Sequence, residues 1–189
     1  MSYQTPRLYT RPLTTADLPA LCRTLQDAQA MTAYAHAFSD TEVTAWLNNN
    51  LRRYREDGFG LWALIRASDD QFIGQCGLTW QAFGDRTVLE IGYLLERRFW
   101  HQGYATEAAI GAKQYAFTTL KCKEVWSIIR DTNLPSMNVA IRNGMLIRGN
   151  RQTLLRYRHA AFWFRSAGRV YTSSATQIEH NKTHDGYNV

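Results

Sequence analysis

Long apolar runs, paired cysteines and the common phosphate-loop glycine motifs are all missing from this chain, and each absence removes a class of function. No run approaches the ~20 apolar residues of a membrane helix, so no membrane partner is expected. The three cysteines, Cys22, Cys76 and Cys122, are far apart and form no C-x-x-C pair. Neither a zinc site nor a disulfide framework follows from them, and a reduced, cytoplasmic compartment is the expectation. The opening residues Met1-Ser2-Tyr3-Gln4-Thr5-Pro6 lack the basic and then apolar signature of a secretion signal. Glu124 and Asp131 are isolated, and His36, His101 and His159 do not pair at ligand spacing. His180 and His184 do, but within a tail of Ser, Thr, Asn and His with few apolar anchors, so no metal is expected. There is no G-x-x-x-x-G-K-[ST] and no G-x-G-x-x-G, which argues against a P-loop or dinucleotide fold.

What is present reads as one globular domain. The chain has 189 residues, 45% hydrophobic and 20% charged, a composition that excludes a mainly disordered protein. Lys and Arg number 22 against 16 Asp and Glu, a net charge of +6. That excess suits an anionic ligand such as a nucleotide phosphate, and no specific nucleic-acid partner is expected.

Helix-like and strand-like segments alternate, which points to an α/β or α+β layered domain. Residues 8–13 read as a strand. Thr14-Thr15-Ala16-Asp17 resembles a capping box opening a helix to about residue 27. Ser39-Asp40-Thr41-Glu42 is a cleaner box, followed by Val43, Trp46, Leu47, Leu51 and Tyr54 at helical spacing and a stop at Gly58. Strands are expected over 59–66, 72–80 and 87–95; the short polar turns between them imply an antiparallel meander. Residues 103–120 carry Ala105, Ala108, Ala109, Ala112 and Ala116, a small-residue stripe for a helix close to a sheet. A short strand (125–129) and a short helix (133–143, stopped by Gly144) follow. Trp46, Trp62, Trp80 and Trp126 are expected in packing roles.

The chemically informative stretch is Glu90-Ile91-Gly92-Tyr93-Leu94-Leu95-Glu96-Arg97-Arg98-Phe99-Trp100-His101-Gln102-Gly103-Tyr104-Ala105-Thr106-Glu107-Ala108. It is a strand, a loop rich in donors, then a glycine at the first turn of a helix. Free backbone N–H groups and the helix dipole favour an anion there. Gly103 admits close approach, and Arg97 and Arg98 add charge. An ordinary strand–loop–helix corner is the competing reading.

At this point residues 7 to about 149 resemble the GNAT superfamily of acyl-CoA-dependent N-acetyltransferases, in particular its Rim-type, ribosomal-protein-acetyltransferase-like branch. Glu90-Ile91-Gly92-Tyr93-Leu94 resembles the strand that faces acceptor and pantetheine. Trp100-His101-Gln102-Gly103-Tyr104-Ala105-Thr106-Glu107-Ala108 is similar to the pyrophosphate loop W-G-x-G-Y-A-T-E-A. Asn133-Leu134-Pro135-Ser136-Met137-Asn138-Val139-Ala140-Ile141-Arg142-Asn143-Gly144-Met145 resembles N-x-x-S-x-x-V-x-x-K/R-x-G-F/M. The three blocks stand in family order across about 55 residues.

The resemblance implies an α+β fold of GNAT type. Its mixed, mostly antiparallel sheet is flanked by about four helices, and two central strands splay to hold acetyl-CoA. It implies that the backbone of Tyr93, Leu94 and Leu95 pairs with pantetheine, with an oxyanion donor near Leu94. Pyrophosphate would sit on the amides of His101, Gln102, Gly103, Tyr104, Ala105 and Thr106. Asn133 would fix the amide arm, and Arg142 would help with adenosine phosphate. Ser136 matches the general acid, with Asn138 close by; a helix-start residue satisfying a backbone donor is its bland alternative. Glu90, on the acceptor-facing strand, is the first choice for the base; Glu42, Asp40, His36 and Tyr34 border the acceptor side. The implied partners are acetyl-CoA and a primary amine, either a protein N-terminus or a small molecule, with the chain a monomer or homodimer.

The match fails after Gly149. The branch's usual Met-Pro-His ending with alternating aromatics is replaced by Arg156-Tyr157-Arg158-His159-Ala160-Ala161-Phe162-Trp163-Phe164. One codon choice for this peptide, read one nucleotide later, encodes such an ending. A frame shift near 146–155 is therefore expected, consistent with seven Arg and no acid across 132–178. A divergent ending in which Phe162-Trp163-Phe164 still forms a strand is the alternative. The expected domain spans 1–165, with 166–189 a disordered tail. Two other functions remain open: a catalytically weak acyl-CoA-binding module with a disrupted C-terminus, and a basic nucleic-acid-binding protein.

Overall fold

The computed structural model describes residues 2–152 and 160–167. Strand β1 (Leu8–Arg11) leads through a 3₁₀ turn (Thr15–Asp17) into α1 (Leu18–Leu25), and α2 is Asp40–Glu56. Strands β2 (Leu61–Arg66), β3 (Gln71–Phe83) and β4 (Arg86–Leu95) follow, then α3 (Tyr104–Thr118), β5 (Glu124–Arg130), α4 (Leu134–Arg142), β6 (Leu146–Gln152) and β7 (Ala160–Ala167). The seven strands form one sheet in the order β1-β2-β3-β4-β5-β7-β6. Strands β2, β3 and β4 make the expected antiparallel meander, and β1 pairs antiparallel with β2.

Local chemistry sets the ends of these elements. At Ser39 the capping box closes: Glu42 Oε2 accepts from the Ser39 N–H at 2.8 Å, and Ser39 Oγ accepts from the Glu42 N–H at 3.4 Å. Beyond the C-terminal end of α2, Gly58 sits at φ +78°, where a side chain would be strained. The Thr14–Asp17 box opens the 3₁₀ turn first; α1 then ends at Leu25, short of the expected residue 27. Strand β1 likewise stops at Arg11, because Leu13 is already turning toward α1 and donates its N–H to the Tyr54 hydroxyl at 3.1 Å.

The sheet has a core on each face. On one, α3 lays Ala108, Ala109, Ala112 and Ala116 against Trp62, Leu64, Ile73, Leu78 and Ile91. On the other, α1 and α2 bring Leu21, Leu25, Val43 and Leu47 onto Ala63, Ile65 and Phe72. Strand alternation sends Trp62 and Leu64 to one core and Ala63 and Ile65 to the other, so β2 reads as a continuous apolar run. Among the tryptophans expected to pack, Trp80 departs: its relative exposure is 46%, because β3 runs on past the edge of the core. No helix among the described residues is long and apolar enough to cross a membrane.

One junction differs from the rest. Strands β3 and β4 pair at ten positions, from Gly74↔Leu95 to Phe83↔Arg86, and β5 pairs with β7 at seven. Parallel strands β4 and β5 pair at one position only, Glu90↔Trp126. Beyond it, residues 91–95 have a strand neighbour on one side alone. Strand β7 includes Phe162-Trp163-Phe164, as the divergent-ending reading expects. Residues 153–159, within the span expected to be frame-shifted, and 168–189, most of the expected tail, lie outside the described residues.

Helix α2 is fastened to the sheet by Asn50, which is fully buried; its Oδ1 accepts from the Leu61 N–H at 3.1 Å and its Nδ2 donates to the Trp46 carbonyl. Asn50→Ala leaves the Leu61 N–H without a partner and should destabilise the protein by about 1–3 kcal/mol. The lower urea midpoint, with unchanged slope, is the measurement that checks it.

Candidate active site

The loop before α3 is built to expose amides. His101 adopts φ +60° and Gly103 φ +80°, so the chain enters the helix through two left-handed residues. The first intrahelical bond runs from the Glu107 N–H to the Gly103 carbonyl at 3.0 Å. The amides of Tyr104, Ala105 and Thr106 have no carbonyl one turn back. Arg7 flanks this corner: its guanidinium lies 4.6 Å above the Tyr104 ring, ion-pairs with Glu107 at 2.6 Å and donates to the Gln102 carbonyl at 3.1 Å. A groove of about 560 Å³ runs from Gly103 and Thr106 past Ile110 to Arg142, so Arg142 shares a surface with the loop. Nothing about Arg7 in the sequence marked it; its partner Glu107 lies 100 residues away.

Arg97 and Arg98 are held elsewhere. Arg97 ion-pairs with Asp27 and donates to Gln29, both beyond α1. Arg98 pairs with Glu96 at 2.7 Å, and Glu96 also takes Arg23 at 2.9 Å. Both guanidiniums brace the loop against its neighbours, in place of the expected direct contribution to the anion site.

The gap between β4 and β5 has its own chemistry. The Glu96 N–H donates to the Ile73 carbonyl at 3.0 Å. With antiparallel alternation, Leu94 then also faces β3, and the backbone groups of Tyr93 and Leu95 face the gap. The gap-side amides near Leu94 are therefore those of its two neighbours, Tyr93 and Leu95. The Leu95 carbonyl is taken by the Trp100 indole N–H at 2.9 Å. Across the gap, the Tyr93 hydroxyl donates to the Ser136 carbonyl at 3.1 Å. Burial raises the Tyr93 phenol well above its usual range, so it stays protonated, although the nearby Ser136 side chain pulls the other way. Asn133 is the residue that caps α4, its Oδ1 accepting from the Ser136 N–H at 3.2 Å. The Ser136 hydroxyl is thus free of capping duty, and the Asn133 side chain is used for it. Asn138 is exposed on the following turn.

The carboxylates expected on the acceptor side are unlike one another. Glu90 Oε1 accepts from the Ile128 N–H at 3.1 Å, bridging β4 to β5 where the ladder ends. The residue keeps some solvent exposure at the gap, yet burial of its carboxyl pushes it up to about 7, against the Ile128 N–H and the nearby Arg53 charge. Glu42 is partly exposed, and the Ser39 N–H, His36 and the Ser39 hydroxyl hold it down to about 2. His36 Nε2 lies 2.8 Å from Glu42, and Asp40 accepts from Gln26 at 2.6 Å. A carboxylate near 7 can exchange protons at neutral pH and one near 2 cannot, which separates Glu90 from Glu42 as a base. Tyr34 stacks edge-on with Phe38 and Trp46 at 5.7 and 5.8 Å, and the Trp46 indole N–H donates to Gln75 at 3.0 Å. Gln75, buried opposite Leu94, escaped the sequence reading; a lone amide in an apolar strand was the available signal.

Residues 7–146 match the family model described as an acetyltransferase (GNAT) domain. The chain belongs to the GNAT acetyltransferase family. Uncharacterized protein YkkB of Bacillus subtilis (strain 168) is 34% identical over 119 residues, covering 63% of this chain and 69% of that protein. Uncharacterized N-acetyltransferase YnaD of the same strain is 26% identical over 150 residues, 79% of this chain and 85% of its own. Among solved structures, a GNAT-family acetyltransferase from Bacillus anthracis superposes with a TM-score of 0.77 at 20% identity, covering 88% of this chain and 98% of that one. RimJ of Mycobacterium smegmatis, solved in complex with CoA-disulfide, gives a TM-score of 0.73 at 18% identity over 92% of this chain and 89% of its own. At such identities the solved structures speak for the GNAT fold alone.

The Glu90 carboxyl carries a pH signature. Its folded value, about 7, lies above the ordinary 4.5, so the unfolded chain ionises first and stability falls as pH rises between the two. Glu90→Gln, which keeps an acceptor for the Ile128 N–H, should match the wild type below about pH 4.5 and gain in melting temperature up to about pH 7, then plateau. Thermal melts across that range give the check; a pH-independent difference would contradict the shift.

Proposed function

We propose that this protein is an acetyl-CoA-dependent N-acetyltransferase acting on a primary amine, of a small molecule or a protein N-terminus. The observation that carries the reading is the single β4–β5 register at Glu90↔Trp126, with an unpaired strand edge beyond it. When bound, acetyl-CoA supplies a thioester carbonyl for the amine to attack and a thiolate to depart. The free edge at Tyr93 and Leu95 suits an extended amide arm, paired as an added strand. The amides from His101 to Thr106, at the positive end of α3, suit the diphosphate, and Arg142 lies along the same groove. RimJ, with CoA-disulfide in its structure, supports a coenzyme A ligand for this fold.

The chain's own residues then divide the proton work. An amine with a pKa of about 8–10.4 must lose a proton before it attacks. Glu90, near 7, takes it directly or through water. A gap-side amide beside Leu94 donates to the developing oxyanion. The Ser136 hydroxyl, at the start of α4 across the gap, gives a proton to the departing sulfur, while the Tyr93–Ser136 bond holds that end of α4 in place.

Ser136→Ala should lower turnover by about 10²-fold, followed as free thiol released from acetyl-CoA. Calorimetry should find its CoA affinity unchanged. A wild-type rate in this variant removes Ser136 from the mechanism; absence of both CoA binding and thiol release in the wild type contradicts the function.

A further inference from the structure

Helix α2 presents one cation to the acceptor side that the mechanism above does not use. Trp46 fixes the helix over β3 through Gln75, and Asn50 fixes it over the start of β2 through the Leu61 N–H. Arg53 lies two turns on from Trp46, at i+7, and so shares its sheet-facing side. A Cβ on Gly60 would sit 3.5 Å from the Arg53 Cβ, which places the residue over the first residues of β2. From there the sheet runs through Leu61↔Gly77 and Gly77↔Gly92 to β4, two residues from Glu90. Gly77 and Gly92 contribute no side chain here, and the Leu61 side chain fills the space over Gly92, so the guanidinium and the carboxylate meet above Leu61. Two strand spacings are ~10 Å, within the combined reach of an arginine and a glutamate.

Arg53 is half-buried and, among the described residues, its guanidinium forms no hydrogen bond or ion pair. That sets it apart from the other partly buried arginines. Arg11 pairs with Asp17, Arg66 with Asp69, Arg165 with Glu124, and Arg130 donates to the Thr32 carbonyl. The Arg53 guanidinium nitrogens still reach solvent and so stay open to an incoming anion. The charged and titratable groups around Arg53 are Arg52, Asp57, Glu90 and Tyr34. Burial and the like charge of Arg52 both work against its ionised form, and Asp57, Glu90 and Tyr34 favour it without bonding to it.

We propose that Arg53 recognises an anionic group on the acceptor: the amine that this protein acetylates carries a carboxylate near its amino group. This rests on the function proposed above and narrows it. The planar guanidinium binds the carboxylate through paired N–H···O bonds while Glu90 accepts the proton from the amine. The same positive charge repels a second ammonium, so polyamines are poor acceptors. Two sources supply the chemistry, a free amino acid or a peptide N-terminus followed by an acidic residue.

Matched acceptors separate these outcomes. The pairs are phenylalanine against phenylalaninamide, and the dipeptide amides Ser-Asp against Ser-Asn, with spermidine as the cationic control. The expected result is that wild type favours the carboxylate member of one pair by about tenfold or more in kcat/KM, the pair naming the source. Arg53→Gln should abolish that preference, lowering the carboxylate member and leaving its neutral partner within about twofold. A binding arm needs no turnover: N-acetylphenylalanine, N-acetyl-Ser-Asp-amide and their neutral counterparts are titrated into the CoA-loaded protein. Carboxylate-selective binding that disappears in Arg53→Gln supports the proposal. Equal handling of acid and neutral members, or an equal loss for both in Arg53→Gln, overturns it. Acetylation of neutral amines would then leave the N-acetyltransferase reading standing, whereas loss of CoA binding and thiol release would remove that reading itself.

Discussion

The structure depends on one incomplete strand pairing. Strands β4 and β5 meet at Glu90↔Trp126 and nowhere else. A central strand normally satisfies its backbone on both sides, and an unpaired edge in the middle of a sheet is costly unless something else meets it. Here three contacts define the opening. The Glu90 carboxylate takes the Ile128 N–H, Trp100 takes the Leu95 carbonyl, and the Tyr93 phenol reaches to the start of α4. Strand β5 is meanwhile fully occupied on its other edge by β7. The parting is therefore built into the packing on both sides, and a ligand with extended amides is the natural complement to what remains.

Electrostatics follow from the same opening. Glu90 has its carboxyl buried beside the gap, and its proton affinity rises into the neutral range. Glu42, in the first turn of α2, is held low by the capping box that starts the helix and by His36. Two carboxylates of one residue type thus have opposite proton affinities, and environment alone divides them. Basic residues divide similarly. Arg97 and Arg130 tie the segment after α1 to the ends of β4 and β5, through Asp27, Gln29 and the Thr32 carbonyl. Arg7 supports the loop at Gly103, and Arg53 lies near the Glu90 charge without bonding to it.

Much of this was legible in the chain. The boxes at Thr14 and Ser39, the stops at Gly58 and Gly144 and the alanine stripe of α3 are local signals, because each depends on residues within a few positions of one another. The donor-rich loop before α3 was legible for the same reason, and three motif blocks carried the family. The illegible features are long-range. Arg97 reads as a loop cation until the fold brings Asp27, 70 residues earlier, against it. Arg53 reads as one of several charges on α2 until the Gln75 and Leu61 anchors fix which face meets the sheet. The direction of the Leu94 amide needs the β3–β4 register, which no single strand contains. Trp80 looked like core because its strand did; only the length of β3 shows that it has left the core.

Amide hydrogen exchange, with and without coenzyme A, tests the parted strands most directly. In the free protein the amides of Tyr93 and Leu95 should exchange quickly while Gly92 and Leu94, bonded to β3, are protected. Coenzyme A should then slow Tyr93, Leu95 and the amides from His101 to Thr106. Protection of Tyr93 and Leu95 before any ligand is added, or coenzyme A binding that leaves both groups of amides unchanged, would contradict the account.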